Sequence, residues 1–182
     1  MKILVLSDMH DDHRVIDRVR MLLSKRKFDA VFIAGDISNT GSVEFASELI
    51  EPLGNVYAVP GNMEKPPVIE FLEKSGHSIH NKKKKLEKYE VVGFGGNNRP
   101  GRMPFAFSDS EIIEALGKLG ISRRTILLTH MPPIGCFDMV DGENLGSPAI
   151  RKIIEERAPF LSVSGHFHEH EGEQIVGETI VV

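Results

Sequence analysis

Cysteine is almost missing from this chain of 182 residues, since Cys136 is the single one. One thiol cannot form an internal disulfide, and such usage is typical of proteins in a reducing cytosol. The chain also lacks an apolar run near the roughly 18 residues that a membrane helix needs. The apolar part of the N-terminal MKILVLSD is too short for a signal peptide. We therefore expect a cytoplasmic protein without a membrane partner.

An excess of basic charge is missing too. The chain has 22 Lys and Arg residues against 26 Asp and Glu residues, for a net charge of −4. Proteins that bind nucleic acid over their whole surface are usually strongly basic, so long nucleic acid is not an expected partner. The basic run Lys82–Lys85 is interpreted as a solvated hairpin tip, with a local nucleic-acid contact as the alternative.

The composition is otherwise that of an ordinary globular protein. Hydrophobic residues make up 41% and charged residues 26% of the chain, which excludes a disordered or collagen-like protein. The length corresponds to about one domain, and it suffices to bury a core without disulfides. We find neither repeats nor a linker, and expect a single domain over residues 1–182.

Short apolar runs alternate with amphipathic stretches along the chain. Helical spacing of apolar residues predicts helices at 14–28, 43–50, 68–72, 112–119 and 149–154. Runs rich in β-branched residues predict buried strands at 3–6, 30–34, 56–59, 125–128 and 160–163. This alternation favours parallel βαβ units, and hairpin-like segments in the middle and the tail add antiparallel pairing. The predicted class is α/β.

Polar side chains follow five of these strands, at the point where each strand ends. Ligands bind outside the carboxyl ends of strands in open α/β sheets, so the five ends could converge on one edge. Glycines beside three of them allow close backbone approach: Gly35, Gly61 and Gly165. Together the ends would supply two Asp, one Asn and four His: Asp8, His10, Asp36, Asn62, His130, His166 and His168.

This donor set has a chemical logic. Imidazole and carboxylate suit Mn, Fe, Ni or Zn, and seven side chains are too many for one tetrahedral zinc. They fit two metals that share a bridging carboxylate. Two metals about 3.5–4 Å apart can stabilise both the attacking and the leaving oxygen of a phosphoryl displacement. A bridging water would then be acidic enough to act as a hydroxide nucleophile.

The strand-end motifs read Asp8-x-His10, Gly35-Asp36, Gly61-Asn62, His130 and Gly165-His166-x-His168. In this order they resemble the calcineurin-like metallophosphoesterase superfamily, and the short chain is most similar to its small bacterial and archaeal phosphodiesterase-type members. The resemblance implies a four-layer α/β/β/α sandwich with two mixed β-sheets. It implies two divalent metal ions, with manganese favoured and iron, nickel or zinc as alternatives. The implied ligands are Asp8, His10 and His168 for the first ion, Asn62, His130 and His166 for the second, and Asp36 as the bridge.

The third motif departs from the family pattern. The family has Gly-Asn-His before an acid, whereas this chain has Met63 between Asn62 and Glu64. The missing histidine is the one usually assigned to protonation of the leaving group, and such proton transfer is typically worth 10²–10⁴-fold. We therefore predict slow turnover with poor leaving groups, and a metal-dependent hydrolase of small phosphate esters that prefers diesters over monoesters. Glu64 is expected to support the ligands rather than to react.

Two other places could supply catalytic groups. His13 is a candidate acid, although a helix N-terminus disfavours its protonation; a surface residue at a capped helix start is the alternative. The glycine-rich segment 95–102 is typical of substrate-contacting loops. Asn97 and Arg99 are its main candidates for holding a phosphate oxygen or the leaving group, followed by Asn98 and Arg102. The alternative is an ordinary exposed loop.

Other functions stay open beside the phosphoesterase. The same fold serves as a protein-interaction scaffold where the metal site has decayed, and fold alone does not fix function. A nuclease is the second alternative, although the short acidic chain leaves little room for DNA-binding elements. The apolar stretch Met131–Val140 could lie in a contact between copies of a homo-oligomer.

Overall fold

The computed structural model describes residues 1–101, 103 and 105–182; the candidate Arg102 lies outside them. Over these residues the chain forms five α-helices and eleven β-strands. The helices are α1 (His13–Lys25), α2 (Val43–Ile50), α3 (Pro66–Lys74), α4 (Asp109–Lys118) and α5 (Pro148–Arg157). The strands are β1 (Ile3–Leu6), β2 (Ala30–Ile33), β3 (Val56–Ala58), β4 (Lys82–Leu86), β5 (Tyr89–Phe94), β6 (Thr125–Thr129), β7 (Met139–Val140), β8 (Glu143–Asn144), β9 (Leu161–Val163), β10 (Gln174–Val176) and β11 (Thr179–Val181).

The strands build two main sheets, which confirms the predicted α/β class. The larger sheet has the order β10-β11-β9-β6-β5-β4 and is mixed, because its edge strands β10 and β4 pair antiparallel with their neighbours. The smaller sheet, β1-β2-β3, pairs parallel throughout its described strands, which corrects the expectation that both sheets are mixed. Its strands are joined through α1 and α2, and a helical crossover connects parallel strands.

Side chains alternate between two faces along each buried strand, and this alternation produces the layers. On β2, Val31 packs with the buried faces of α1–α3, whereas Phe32 points into a core shared by both sheets. On β6, Ile126 joins that shared core and Leu127 packs with α4 and α5. The layers are therefore helices, sheet, sheet, helices, as the four-layer α/β/β/α expectation requires.

The basic run lies on a strand rather than at a hairpin tip. Residues Lys82–Lys85 belong to β4, the edge of the larger sheet, and the turn follows at Glu87. Lys82 forms an ion pair with Glu73, and Lys83 Nζ lies 3.2 Å from Glu90 Oε2. Lysines on an edge strand oppose pairing with another chain, and these ion pairs reduce the positive charge available to nucleic acid.

The segment Met131–Val140 is largely part of the chain's own core. Met131 and Cys136 are buried, and its most exposed apolar side chain is Met139, with 47% exposure. A contact between copies through this segment stays a prediction. Of the described helices, none is both long and apolar enough to cross a membrane.

Candidate metal centre

Backbone hydrogen bonds draw the strand ends together at one edge of the sandwich. Asp8 N–H donates to Gly35 O over 3.0 Å, and His10 N–H donates to Asp36 O over 3.1 Å. Within the larger sheet, Gly165 N–H donates to His130 O over 3.0 Å; between the two sheets, Gly96 N–H donates to Pro60 O over 2.9 Å. The side chains that follow these strands consequently face one another, as the sequence predicts.

One cluster, called here the first group, contains Asp8, His10 and His168. The Nε2 atoms of His10 and His168 lie 3.0 Å apart. Asp8 Oδ1 lies 3.8 Å from the former and 3.4 Å from the latter. This oxygen is buried without a hydrogen-bond partner among the described residues, whereas Asp8 Oδ2 accepts from Ser7 and from the backbone of His166.

A second cluster, the second group, contains Asp36, His130 and His166, with Asn62 beside them. His130 Nε2 is its centre. This atom lies 3.6 Å from Asp36 Oδ2, 2.9 Å from Asn62 Oδ1 and 3.1 Å from His166 Nδ1. Asp36, Asn62 and His130 are buried, with exposures of 3%, 3% and 0%.

Asp36 lies between the two groups. Its Oδ2 atom is 4.0 Å from His10 Nε2 in the first group and 3.6 Å from His130 Nε2 in the second. Its other oxygen, Oδ1, accepts the Met63 backbone N–H over 2.9 Å. That bond holds the carboxylate so that a single oxygen faces both groups.

In His130 and His10, the ring nitrogen that lies away from the metal-binding groups, Nδ1, has a hydrogen-bond partner. That partner determines which nitrogen carries the lone pair. His130 Nδ1 lies 2.7 Å from Ala34 O, and a carbonyl can only accept, so Nδ1 carries the proton and Nε2 the lone pair. His10 Nδ1 lies 2.7 Å from Asn39 Oδ1, which favours the same arrangement. Burial, followed by the neighbouring His130, lowers the pKa of His166 to about 3, so its ring is neutral at pH 7.

The donors fit divalent metal ions. In the neutral ring of His130, with the proton on Nδ1, Nε2 presents a lone pair to Asn62 Oδ1, which lies 2.9 Å away, an arrangement that a cation stabilises. Ligands about 2.1 Å from an ion lie roughly 3.0–3.4 Å from one another in octahedral or tetrahedral geometry. The nitrogen–nitrogen distances of 3.0 and 3.1 Å match this spacing. The unpartnered Asp8 Oδ1 supplies a further anionic donor.

Two glycines make room for the carboxylates. A Cβ atom on Gly61 would lie 2.0 Å from Asp36 Oδ1 and 2.3 Å from the Asp36 backbone nitrogen. A Cβ atom on Gly165 would lie 1.8 Å from Ser7 Oγ and 2.6 Å from Asp8 Oδ2. Real Cβ atoms do not approach so closely, so these positions require glycine, in agreement with the close approach that the sequence suggests.

Four of the donor residues adopt left-handed backbone conformations. Their φ angles are 55° at Asp8, 50° at His10, 49° at Asp36 and 80° at His166. This region is sparsely populated by residues other than glycine, although Asp and His tolerate it better than most. Such conformations concentrate at functional sites, where the surrounding structure holds them in place.

A buried acid joins two of the strand-end loops. Glu64 is 1% exposed, and its carboxylate accepts the Gly61 N–H over 2.6 Å and the Ser38 N–H over 3.0 Å. Burial raises the pKa of this carboxyl, although the two backbone bonds act in the opposite direction. These contacts agree with the expected supporting role, because Glu64 connects the loop after β3 to the loop after β2.

Comparison with known proteins decides the family. The model of the calcineurin-like phosphoesterases matches residues 1–170. The chain belongs to the calcineurin-like phosphoesterase family. It is 34% identical over 195 residues to the uncharacterized protein MJ1162 of Methanocaldococcus jannaschii, covering all of this chain and 87% of that protein. It is 30% identical over 93 residues to the UPF0046 protein K07C11.7 of Caenorhabditis elegans, covering 50% of this chain and 32% of that protein.

Solved structures share the fold of this calcineurin-like phosphoesterase. One crystal structure superposes with a TM-score of 0.81 at 19% identity, covering all of this chain and 89% of that one. The structure of TT1561 of Thermus thermophilus superposes with a TM-score of 0.75 at 19% identity, covering 98% of this chain and 86% of that one. Family membership and the two clusters of donors together indicate a phosphoesterase that depends on divalent metals.

Of the predicted catalytic residues of this calcineurin-like phosphoesterase, Asn97 and Arg99 affect the second group, whereas His13 makes its described contacts elsewhere. Asn97 is 3% exposed, and its Nδ2 lies 3.4 Å from His166 Nε2. Arg99 is half-buried, and its charge contributes to the lowered pKa of His166. His13 is 72% exposed and makes its described contacts with α2, where its ring packs edge-on against Phe45. Asp12 caps α1, as expected if His13 is a surface residue.

The remaining histidines have their described contacts elsewhere. His80 packs among three phenylalanine rings, His77 lies beside β3, and His170 Nε2 donates to Met139 O over 2.6 Å. The structure also reveals a residue that sequence analysis missed. Asn39 orients His10, but nothing in the segment Ser38–Gly41 distinguishes this asparagine from an ordinary loop residue.

Proposed function

We propose that this protein hydrolyses phosphodiesters and uses two divalent ions, with manganese favoured among Mn, Fe, Ni and Zn. Asp8, His10 and His168 would hold one ion, Asn62, His130 and His166 the other, and Asp36 both. The observation that carries the proposal is the placement of Asp36 Oδ2, at 4.0 and 3.6 Å from nitrogens of the two groups. A single carboxylate oxygen shared in this way is what two neighbouring cations require.

When bound, such ions polarise a phosphoryl oxygen and lower the pKa of a coordinated water. The side chains of this protein hold the site in shape for that chemistry. Ala34 and Glu64 anchor the second group through His130 and the loop at Gly61. In the reaction, a water oxygen forms a bond to phosphorus, one ester P–O bond breaks, and the departing oxygen takes up a proton.

The preference for diesters rests on what stands at position 63. Met63 offers no side-chain proton, and its backbone N–H is occupied by Asp36. No other histidine outside the donor set has a described contact with either group. A leaving group would therefore depart without a positioned histidine acid, which disfavours esters with poor leaving groups. Arg99 is a cation suited to the single negative charge of a diester.

The test is an assay of metal-stripped protein on bis(p-nitrophenyl) phosphate and on p-nitrophenyl phosphate, with Mn²⁺ or Ni²⁺ added back. We expect metal-dependent hydrolysis that is faster for the diester. Asp36→Asn should abolish it, whereas Asp17→Asn on the exposed face of α1 should not. Faster hydrolysis of the monoester would refute the diester preference. Binding of two ions without turnover of either substrate would refute the proposed enzymatic activity and favour the protein-interaction scaffold.

A further inference from the structure

Asn97 occupies a rigidly defined place beside the second group. Its backbone N–H donates to Phe105 O over 3.0 Å, and its carbonyl accepts the Phe107 N–H over 2.8 Å. The preceding Gly96 N–H donates to Pro60 O over 2.9 Å, which ties the segment to the loop after β3. The backbone of Asn97 is thus fixed on both sides.

A second layer of contacts supports the same segment. His80 Nδ1 accepts the Gly95 N–H over 2.9 Å. The His80 ring packs against Phe94, Phe105 and Phe107, with ring centroids 4.9, 5.2 and 5.6 Å away. Burial lowers the pKa of His80 to about 4, so the ring is neutral and its Nδ1 lone pair is free to accept. These contacts make Asn97 a poor candidate for a mobile, substrate-sensing residue.

The Asn97 side chain faces Nε2 of His166, the ring nitrogen that does not point into the second group. Asn97 Nδ2 lies 3.4 Å from His166 Nε2, while His166 Nδ1 points into the second group, 3.1 Å from His130 Nε2. Asn97 Oδ1 is buried without a hydrogen-bond partner among the described residues. The amide is therefore next to the one ring nitrogen of His166 that the second group leaves free.

The chemistry of a neutral imidazole determines what this neighbour must do. Such a ring has a lone pair on only one nitrogen. If His166 Nδ1 is to bind a cation, the proton must be on Nε2, and Nε2 then needs an acceptor. An asparagine amide turned over about its terminal torsion exchanges oxygen for nitrogen with little change of shape. In that orientation Oδ1 accepts from Nε2–H.

We propose that Asn97 is a positioning residue: its Oδ1 accepts the Nε2–H of His166 and so keeps Nδ1 available to a divalent ion. The proposal rests on the proposed function and replaces direct substrate contact by Asn97. Partners of this kind in the shell behind metal-binding histidines are typically worth about 10–100-fold in metal affinity. The same side chain in the ion-free protein can donate Nδ2–H to the ring instead.

The test is a Mn²⁺ titration of metal-stripped protein, with free Mn²⁺ counted by electron paramagnetic resonance. Asn97→Leu should weaken the second binding event by about 10–100-fold. Asn97→Asp, which can only accept, should bind within about threefold of wild type or more tightly. Asn98→Leu and Asn98→Asp are matched controls in the same loop, because Asn98 donates a hydrogen bond to Gly146 O and not to a histidine of the second group. Both controls should bind like wild type.

A spectroscopic measurement checks the hydrogen bond directly. In protein labelled with ¹⁵N-histidine and loaded with Zn²⁺, His166 should show a protonated Nε2, and Asn97→Asp should retain it. A deprotonated Nε2 in the loaded protein would overturn the proposal. Circular dichroism of each variant identifies any that fails to fold, in which case Asn97→Ser takes the place of the leucine variant.

Three binding results would overturn the proposal. Wild-type Mn²⁺ affinity in Asn97→Leu would show that binding of the second ion does not depend on Asn97. Equal loss in the leucine and aspartate variants would show that accepting a hydrogen bond is not its role. Equal gains in Asn97→Asp and Asn98→Asp would assign the effect to added charge. Because binding is measured without substrate, a wild-type protein that takes up two ions yet hydrolyses nothing refutes only the proposed function.

Discussion

Replacing Gly61 by alanine should disable the site through a single methyl group. The added Cβ would lie 2.0 Å from Asp36 Oδ1 and 2.3 Å from the Asp36 backbone nitrogen. A separation of 3.4 Å is ordinary contact, so about 1 Å of movement is needed, and the backbone atom cannot simply rotate away. Overpacking of this kind costs about 1–3 kcal/mol. A displacement of about 1 Å in a catalytic constellation can cost about 10²-fold in rate.

Two measurements separate these effects. For a protein of this size, 1–3 kcal/mol lowers Tm by roughly 2–12 °C, which calorimetry in the presence of a chelator detects. Turnover on a chromogenic diester at saturating Mn²⁺ should fall by about 10²-fold. Gly54→Ala is the matched control, since its Cβ would meet nothing within 4 Å. That control should retain both the Tm, to within about 2 °C, and the activity.

Unchanged turnover in Gly61→Ala would refute the reasoning. It would mean either that Asp36 does not need its present position, or that the loop after β3 yields without consequence. A fall in Tm with full activity would be as damaging, because it would separate packing at Gly61 from the chemistry at Asp36.

Two further predictions concern proton transfer and pH. Met63→His restores the side chain typical of the family and should raise turnover of a monoester with a poor leaving group by at least 10-fold, towards the roughly 10²–10⁴-fold typical of positioned acids. Met21→His, a control at a methionine of α1 that is 55% exposed, should not. Equal rates in Met63→His and wild type would contradict the explanation of the diester preference. Burial holds the pKa of His80 at about 4, below the 6.5 that is ordinary for histidine, so the unfolded chain binds the extra proton first as the pH falls. Stability should therefore fall as the pH drops from about 6.5 towards 4, by a few kcal/mol at most. Urea unfolding of wild type and His80→Phe at pH 7 and 4.5 checks this, and identical losses in both would assign the pH dependence to other groups.

The part of the site that the sequence predicts well is the part that topology determines. Asp8, Asp36 and His130 follow strands whose carboxyl ends meet at one edge whatever the loops do. The resemblance that their residue types and order carry implied two groups and a shared carboxylate, and the structure brings these side chains together in that arrangement.

The part that escaped prediction depends on side-chain directions in loops. Asn39 reaches His10 across 29 positions of sequence, and no periodicity reports such a contact. The contact of Asn97 with His166 likewise joins two loops that follow separate strands of the larger sheet, β5 and β9. The segment Lys82–Lys85 escaped for another reason: an edge strand has no second neighbour and need not be apolar.

The two sheets contribute jointly to each group of donors. Asp8 and His10 follow a strand of the smaller sheet, whereas His168 follows a strand of the larger one. Asp36 and His130 divide in the same way in the second group. Each ion bound as proposed would therefore connect the two sheets. Its binding free energy would add to the stability of the contact between them. The concentration of available metal would then affect the stability of the fold as well as the rate of hydrolysis.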